Sequence, residues 1–207
     1  MKPLLQFNEV TASQISALSF TVRAGEMRVL KVPTEEARVV VIELTLGEMQ
    51  AAKGEILLRG QTLDASKPGT IGWVPARGGL ISNLITWQNI TLPLWYHGRR
   101  QTQAVEEKLS RWLSELQVDP QEWENFMACP AGKLKLWERK MAGLLRGLLQ
   151  APQLLLIEAG LFDEIEAARS QLWINALEKY VRESDGSAVL AVTNTATVLP
   201  WEIIERS

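Results

Sequence analysis

The amino-acid sequence predicts an α/β domain built on a mostly parallel β-sheet, and two observations support this class. Residues 152–157 form a run that is apolar except for Gln153, which is typical of a strand buried on both faces of a parallel sheet. Strand-like and helix-like stretches also alternate: a strand at 27–32 precedes a helical pattern at 36–48, and a helical pattern at 166–182 precedes a strand at 188–193. Such alternation favours a parallel sheet, because helices connect successive parallel strands.

The composition is that of one globular domain. The 207 residues are 46% apolar and carry a net charge of -2, which allows a sizeable core and argues against a nucleic-acid-binding surface. No apolar run approaches the length of a membrane span, and the first residues lack a secretory pattern. Cys129 and His97 are each the sole residue of their kind, which argues against disulfides, cysteine metal sites and most histidine chemistry. We therefore expect one cytoplasmic domain over residues 1–207.

The N-terminal region of the chain predicts further strands. Residues 4–10 and 17–22 alternate between apolar and polar side chains, and a polar turn at 11–16 separates them. Residues 54–59 form another strand that Gly60 closes, and residues 71–74 form a strand that enters a loop.

The middle of the chain predicts a helical subdomain over approximately residues 77–150. An apolar helical stripe runs through residues 101–116, and Asp119 followed by Pro120 is typical of a helix start. Eight tryptophans are many for this length, and two interpretations stay open: core packing, which is favoured, or exposure at a partner surface. They are Trp73, Trp87, Trp95, Trp112, Trp123, Trp137, Trp173 and Trp201.

The segment between Gly25 and Gly47 has the order of a phosphate-binding loop. A strand, a loop and a helix follow one another, and in that order backbone N–H groups and a helix N-terminus can hold an anion. The residues in the loop oppose this use, because two carboxylates, Glu35 and Glu36, lie where a polyanion would bind. Like charges about 4 Å apart repel by roughly 4 kcal/mol at an effective dielectric constant of about 20.

This frame resembles the ATP-binding subunit of ABC transporters, in which GE, a strand, the loop G-P-S-G-S-G-K-S-T and a leucine-rich helix ending in glycine follow one another. The two patterns align from Gly25 to Gly47 without a gap. Glycines allow close backbone approach to phosphate, a lysine carries charge to it, and a hydroxyl holds Mg²⁺. In this chain Pro33 matches the pattern, whereas the motif glycines, the lysine and the serine-threonine pair are replaced. The nine loop positions are Val32, Pro33, Thr34, Glu35, Glu36, Ala37, Arg38, Val39 and Val40.

The resemblance also assigns five other nucleotide-linked positions, and each has changed. Ala76 stands at the metal-touching glutamine. The signature L-S-G-G-Q reads Leu134, Lys135, Leu136, Trp137 and Glu138, although Arg139 and Arg146 match the helix that follows. Glu158 and Ala159 stand at the metal-linked aspartate and the glutamate general base, and Asn194 stands at the histidine that senses the γ-phosphate. His97 lies far from that position in the alignment.

The resemblance thus predicts an ABC-ATPase-like P-loop NTPase fold, with flanking antiparallel strands and a helical subdomain, that ends earlier than family members usually do. Glu158 could still bind a cation, but Ala159 cannot act as a base. We expect no catalytic residue, no metal and no cofactor, although the family uses ATP and Mg²⁺. Residues 79–94 resemble the stretch that meets the membrane subunit, loosely as in lipid or lipoprotein transporters.

The favoured hypothesis is a non-catalytic scaffold or regulatory subunit of a transport complex, at the inner face of the membrane through its partner. Its partners would be a membrane permease, an active ABC ATPase, or both, and a dimer is possible. A heterodimer with an active ATPase would have one site that lacks a P-loop and one that lacks a signature. Only the second site could bind ATP. Two alternatives stay open: a divergent ATPase that works through Arg38 and Glu158, or a free-standing interaction module.

Overall fold

The computed structural model describes residues 3–64, 70–96 and 102–204. The strands in these ranges are β1 Pro3–Ala12, β2 Ile15–Arg23, β3 Met27–Lys31, β4 Lys53–Leu58, β5 Gln61–Thr62, β6 Ile71–Val74, β7 Leu154–Glu158, β8 Ala188–Thr193 and β9 Glu202–Ile204. The α-helices are α1 Glu35–Leu46, α2 Thr86–Tyr96, α3 Thr102–Glu115, α4 Trp123–Ala128, α5 Leu136–Gln150 and α6 Ala167–Glu183. Short 3₁₀ turns cover Pro120–Glu122, Ala131–Lys133 and Ala159–Phe162.

The described strands form two sheets. A five-stranded parallel sheet has the order β6-β7-β8-β3-β9, and an antiparallel sheet has the order β2-β1-β4-β5. This confirms the predicted α/β class. The hairpin between β1 and β2 is tighter than the predicted turn at 11–16, because Ala12 pairs with Ile15 and both side chains are buried.

Strand β9 was not predicted, because the last strand that the sequence indicates is the one at residues 188–193. β9 is three residues long and pairs in parallel with β3. A run of three residues is too short for a period of two to stand out in the sequence. Its place beside β3 is stabilised by the ion pair between Arg28 and Glu202, 2.9 Å apart.

The parallel sheet separates two apolar cores. On one face, α1 and the antiparallel sheet pack against Leu154, Leu156 and Leu190. On the other face, α5, α6 and the remaining helices pack against Leu155 and Ile157. Strand β7 is therefore buried on both sides, as its continuous apolar run predicts, and its alternate side chains belong to different cores.

The helical layer contains most of the tryptophans. Trp112, Trp173 and Trp201 are buried, and Trp87, Trp123 and Trp137 pack against the same core while partly exposed. Trp73 and Trp95 are each more than one third exposed. Six of the eight therefore serve packing, and two reach the surface.

Candidate functional site

The carboxyl ends of β3, β8 and β7 meet at one edge of the parallel sheet, here called the carboxyl edge. The register places Lys31 beside Thr193, and Val192 beside Glu158. Helix α1 begins at this edge, because only a short loop separates it from β3. Helix α5 ends just before β7 begins, so it runs antiparallel to β7 and its first turn lies at the same edge. Ligands of open α/β sheets bind at this edge.

The loop between β3 and α1 has the backbone of an ordinary capped helix. Thr34 is extended, with φ -137° and ψ 165°, and its Oγ1 accepts a hydrogen bond from the N–H of Ala37. No residue between Gly25 and Gly47 has a positive φ. The N–H of Val32 donates to the carbonyl of Thr193, 2.8 Å away. The loop thus adopts a conformation that valine and glutamate tolerate, and the Thr34 hydroxyl already serves one of the helix's first N–H groups.

Arg38 contacts two carboxylates from different elements. Its Nε and Nη2 both donate to the carboxylate of Glu35, with Nε 2.9 Å from Oε2. Its Nη1 lies 2.6 Å from Oε2 of Glu158 at the end of β7. The side chains of Arg38 and Glu158 are only 16% and 12% exposed, whereas that of Glu35 is 56% exposed. The guanidinium fork is thus held between α1 and β7, in the bidentate geometry that arginine and carboxylate prefer.

The electrostatics follow from these contacts. The hydrogen bonds from Arg38 hold the pKa of Glu35 below its usual value. The hydrogen bonds to Glu35, together with the charge of Glu158, raise the pKa of Arg38 despite its burial. The structure adds contacts that the sequence did not predict. Glu35 is compensated by Arg38 within the first turn of α1, and Glu158, which could have bound an external cation, contacts that same guanidinium.

The signature segment, residues 134–138, is also engaged within the chain. The carboxylate of Glu138 accepts a hydrogen bond from the N–H of Lys135, 2.7 Å away, at the start of α5. The guanidinium carbon of Arg169 lies over the ring of Trp137, 4.0 Å from its centroid. Leu134 is buried and Leu136 is partly buried. The first turn of α5 therefore carries its own anion, and its aromatic side chain is covered by a residue of α6.

The remaining predicted positions lie around the same edge. Ala159 is buried at the start of the turn after β7. Ala76 lies next to this turn, since a Cβ added at Gly160 would come 3.2 Å from the Cβ of Ala76. Asn194 follows the end of β8 and is partly exposed. These positions thus lie around the carboxyl edge, and the roles expected of them stay predictions. His97 lies outside the described residues.

Sequence reasoning missed Lys140. This residue is 3% exposed, and its Nζ donates to the carbonyls of Gly160, 2.8 Å away, and Asp163, 2.6 Å away. Burial lowers its pKa, a shift that the charges of Asp163 and Glu164 partly oppose. A signal was present in the sequence, because a lysine at position 140 falls on the face of α5 that Leu144 and Leu148 continue at four-residue spacing. A lysine on an apolar helical face needs buried acceptors.

Arg146 has a similar role further along α5. Its guanidinium donates to the carbonyls of Gly79, 2.8 Å away, and Gly78, 2.9 Å away. These glycines form the turn that follows β6, and both have positive φ. Helix α5 is therefore hydrogen-bonded to the turns that follow two neighbouring strands of the sheet.

Among residues 3–64, 70–96 and 102–204, no three histidine, cysteine, aspartate or glutamate side chains are grouped as metal ligands would be. Within the same ranges, no helix combines the length and apolar character needed to cross a bilayer.

Comparison with known proteins identifies the fold. No family model matches the chain. A curated relative, the molybdate/tungstate import ATP-binding protein WtpC of Pyrococcus horikoshii, is 21% identical over 178 residues. This match covers 85% of the chain but only 50% of the relative, so the chain spans about half the length of that protein.

Three solved structures share the architecture. CbiO1 from Clostridium perfringens, part of the ABC transporter complex cbiONQ, matches with a TM-score of 0.72 and 14% identity over 94% of this chain and 80% of its own. An ATP-binding subunit of an ABC transporter matches with a TM-score of 0.76 and 17% identity, over 91% of this chain and 79% of its own. An ABC transporter ATP-binding protein from Pyrococcus furiosus matches with a TM-score of 0.73 and 12% identity, over 96% of this chain and 95% of its own. The chain therefore has the fold of an ABC transporter ATP-binding subunit, which confirms the resemblance.

Proposed function

We propose that this protein is a non-catalytic ABC-ATPase-like subunit, which acts as a scaffold or regulator in a transport complex and does not bind or hydrolyse Mg-ATP in the ordinary way. The observation that carries the proposal is the arrangement of Arg38. Its guanidinium is committed to Glu35 and Glu158 at the position where the resemblance places phosphate and metal.

Charge supports this proposal. A nucleotide phosphate at the start of α1 would face the carboxylates of Glu35 and Glu36, and would have to draw Arg38 away from Glu35 and Glu158. Withdrawing Arg38 would leave Glu158, which is largely buried, without its cation. Removing one partner of a fully buried ion pair costs about 3–5 kcal/mol, and this pair is mostly but not fully buried. A cost of about 2–4 kcal/mol would therefore be subtracted from the binding free energy of any anion that uses Arg38.

The other half of a family-type site supports the same proposal. Phosphate contacts at the start of a helix depend on N–H groups that are free to point at the ligand. Here the carboxylate of Glu138 lies at the start of α5 and accepts from the N–H of Lys135. The bulk of Leu136 and Trp137 stands where the family has glycines. An anion approaching α5 would therefore meet a carboxylate and two large side chains.

A surface on the helical layer supports membership of a transport complex. Leu92, Trp95 and Tyr96 are exposed near the end of α2, at 43%, 52% and 86%, and Ile81 is exposed in the preceding loop. Residues 81 and 89 are joined by hydrogen bonds between the Asn89 amide and the backbone of Ile81. This stretch corresponds to the one that meets the membrane subunit in the family. We infer a membrane permease as partner, which would hold the chain at the cytoplasmic face of the membrane.

Nucleotide binding and turnover test the proposal directly. Purified protein titrated with a fluorescent ATP analogue and Mg²⁺ should give no saturable signal below the millimolar range, and no phosphate release above that of a buffer blank. The matched comparison is Arg38→Lys/Glu35→Gly, which returns two residues of the family loop and should still fail, because Glu36, Val39 and Trp137 remain. Micromolar binding by the unaltered chain would overturn the proposal and favour a divergent ATPase that uses Arg38 and Glu158.

A second measurement separates a transport subunit from a free-standing module. A transport subunit should be encoded beside a membrane permease, and co-expression with that permease should yield a complex that survives purification. Trp95→Ser and Tyr96→Ser together should weaken that complex without changing the unfolding midpoint of the isolated chain. Loss of folding in this variant, or an unchanged complex, would remove the assignment of the surface.

A further inference from the structure

The turn after β7 is held from both faces of the sheet by cations of two different helices. Because side chains alternate along β7, Glu158 projects towards α1, on the same side as Leu154 and Leu156. There it meets Arg38 at 2.6 Å. Two residues later the chain is held on the opposite side, where Lys140 of α5 donates to the carbonyls of Gly160 and Asp163.

The acceptors of Lys140 are backbone atoms, so its hydrogen bonds fix the path of the chain and not merely one side chain. The carbonyl of Gly160 lies within the 3₁₀ turn Ala159–Phe162, and that of Asp163 lies directly after it. The N–H of Asp163 also donates to the carbonyl of Gly160, 3.2 Å away. Ala159, Leu161 and Phe162 are buried. A shift of this turn would therefore move Glu158 relative to Arg38.

Burial makes both attachments costly to break. Lys140 is 3% exposed, and the guanidinium of Arg38 and the carboxylate of Glu158 are mostly covered. An ammonium or guanidinium group in such a place must keep its acceptors, because water cannot replace them. The charged side chains that face Lys140 are Asp163, Glu164 and Arg77. None of them gives Lys140 an acceptor in place of the two carbonyls.

We propose that Lys140 is a positioning residue for the Arg38–Glu158 ion pair, and that the two cations together form a clamp on residues 158–163 which couples α1 to α5 across the sheet without any bound ligand. The idea that this clamp replaces a ligand rests on the proposed function. The coupling of α1 to α5 does not, because it is a property of the isolated chain. It would keep the two helix starts at the carboxyl edge in a fixed relation.

Hydrogen exchange of the isolated, nucleotide-free chain tests the coupling. Lys140→Met preserves the length and burial of the side chain and removes its charge and hydrogen bonds. It should accelerate exchange not only in residues 159–163 but also, by about threefold or more, in the first-turn amides of α1, on the far face of the sheet. Conversely, Arg38→Met should accelerate exchange in residues 159–163. Lys133→Met, at an exposed lysine just before α5, is the matched control and should change neither region.

A double-mutant cycle gives the second readout. If the two cations act on one segment, the effects of Arg38→Met and Lys140→Met on the unfolding equilibrium constant should depart from multiplicativity by about threefold or more, which exceeds the scatter shown by independent sites. Arg38→Met combined with Arg111→Met, which removes a surface ion pair with Glu183, should stay multiplicative. Multiplicative effects for the first pair, together with exchange changes confined to residues near Lys140, would show a local structural role and overturn the proposal.

A milder variant tests the proposal if Lys140→Met or Arg38→Met does not fold. Glu158→Gln removes the charge that Arg38 contacts while it leaves Lys140 intact, and it should accelerate exchange in residues 159–163 in the same way. No effect of Glu158→Gln there would also overturn the proposal. The outcome is separate from that of nucleotide binding: a chain that bound ATP could still show the coupling, and a chain that did not bind it could lack the coupling.

Discussion

Replacing Arg38 by methionine should destabilise the chain markedly, and the structure sets the size of the effect. The change removes the cation from Glu158, whose side chain is 12% exposed, and from Glu35, which is 56% exposed. Loss of one partner of a fully buried pair costs about 3–5 kcal/mol, whereas exposed pairs contribute about 0–1 kcal/mol. Because this pair is mostly but not fully buried, we expect about 2–4 kcal/mol, nearly all of it from Glu158.

Urea denaturation followed by tryptophan fluorescence measures this loss, and the midpoint should fall without a change in the slope. In thermal unfolding the same loss corresponds to roughly 4–16 °C for a domain of this size. Arg38→Met/Glu158→Met should be less destabilised than the sum of the two single variants, because it no longer leaves a charge buried alone. Arg111→Met, which removes an exposed pair with Glu183, is the control and should cost about 1 kcal/mol or less. The reasoning is refuted if Arg38→Met costs no more than this control, or if the effects of Arg38→Met and Glu158→Met simply add.

Three further expectations follow from particular residues. The pKa of Glu35 is lowered from 4.5, so its interaction with Arg38 stabilises the fold above pH 4.5 and is lost as the pH falls through the lowered value. The difference in melting temperature between the unaltered chain and Glu35→Gln should therefore shrink on acidification, and a constant difference would contradict this. Gly78→Ala should cost at least about 3 kcal/mol in urea unfolding, because the new Cβ would lie 2.1 Å from the carbonyl oxygen of Arg139. Gly60→Ala, at a residue with a similar positive φ and no neighbour within 4 Å, should cost only about 1 kcal/mol. Equal costs would rule out the steric explanation. Trp137→Ala should lower the melting temperature by several degrees, because it removes the Arg169 contact and the packing against the helical core. Trp95→Ala, at an exposed position, should change the melting temperature by no more than about 2 °C. The reverse order would contradict the burial of the two side chains.

The fold was accessible from the sequence because it is encoded by periodicity and order. The apolar run before Glu158, the alternation in the first two strands and the helical stripe around Trp112 each survive as an element close to its predicted bounds. The missed β9 carries too few residues for a pattern, and its pairing depends on β3, which lies far away along the chain. Tertiary pairing of this kind leaves no local signal.

The candidate site was only half accessible. Alignment located Arg38 and Glu158, because Glu158 ends a strand that can be placed from the sequence and Arg38 lies in the helix that follows another. It could not predict that these two side chains contact each other, since that depends on which rotamers the packing allows across two layers. Lys140 was missed for a related reason: nothing in its neighbours along the chain identifies two carbonyls of a distant turn as its acceptors. Side-chain partners across the sheet are fixed by the fold, whereas sequence order alone fixes only the elements.

The residues in which this chain differs from the ABC ATPase pattern also supply hydrogen bonds and ion pairs at the carboxyl edge. A P-loop without its ligand would leave unpaired groups at the carboxyl edge, and such groups are costly when buried. In this chain the Thr34 hydroxyl serves an N–H of α1, Arg38 serves Glu158, Glu138 serves the start of α5, and Lys140 serves the turn after β7. Each of these side chains satisfies a group that would otherwise need a ligand or water. These four contacts therefore pair polar groups of the carboxyl edge with side chains of the chain itself, which is what the proposed scaffold role requires.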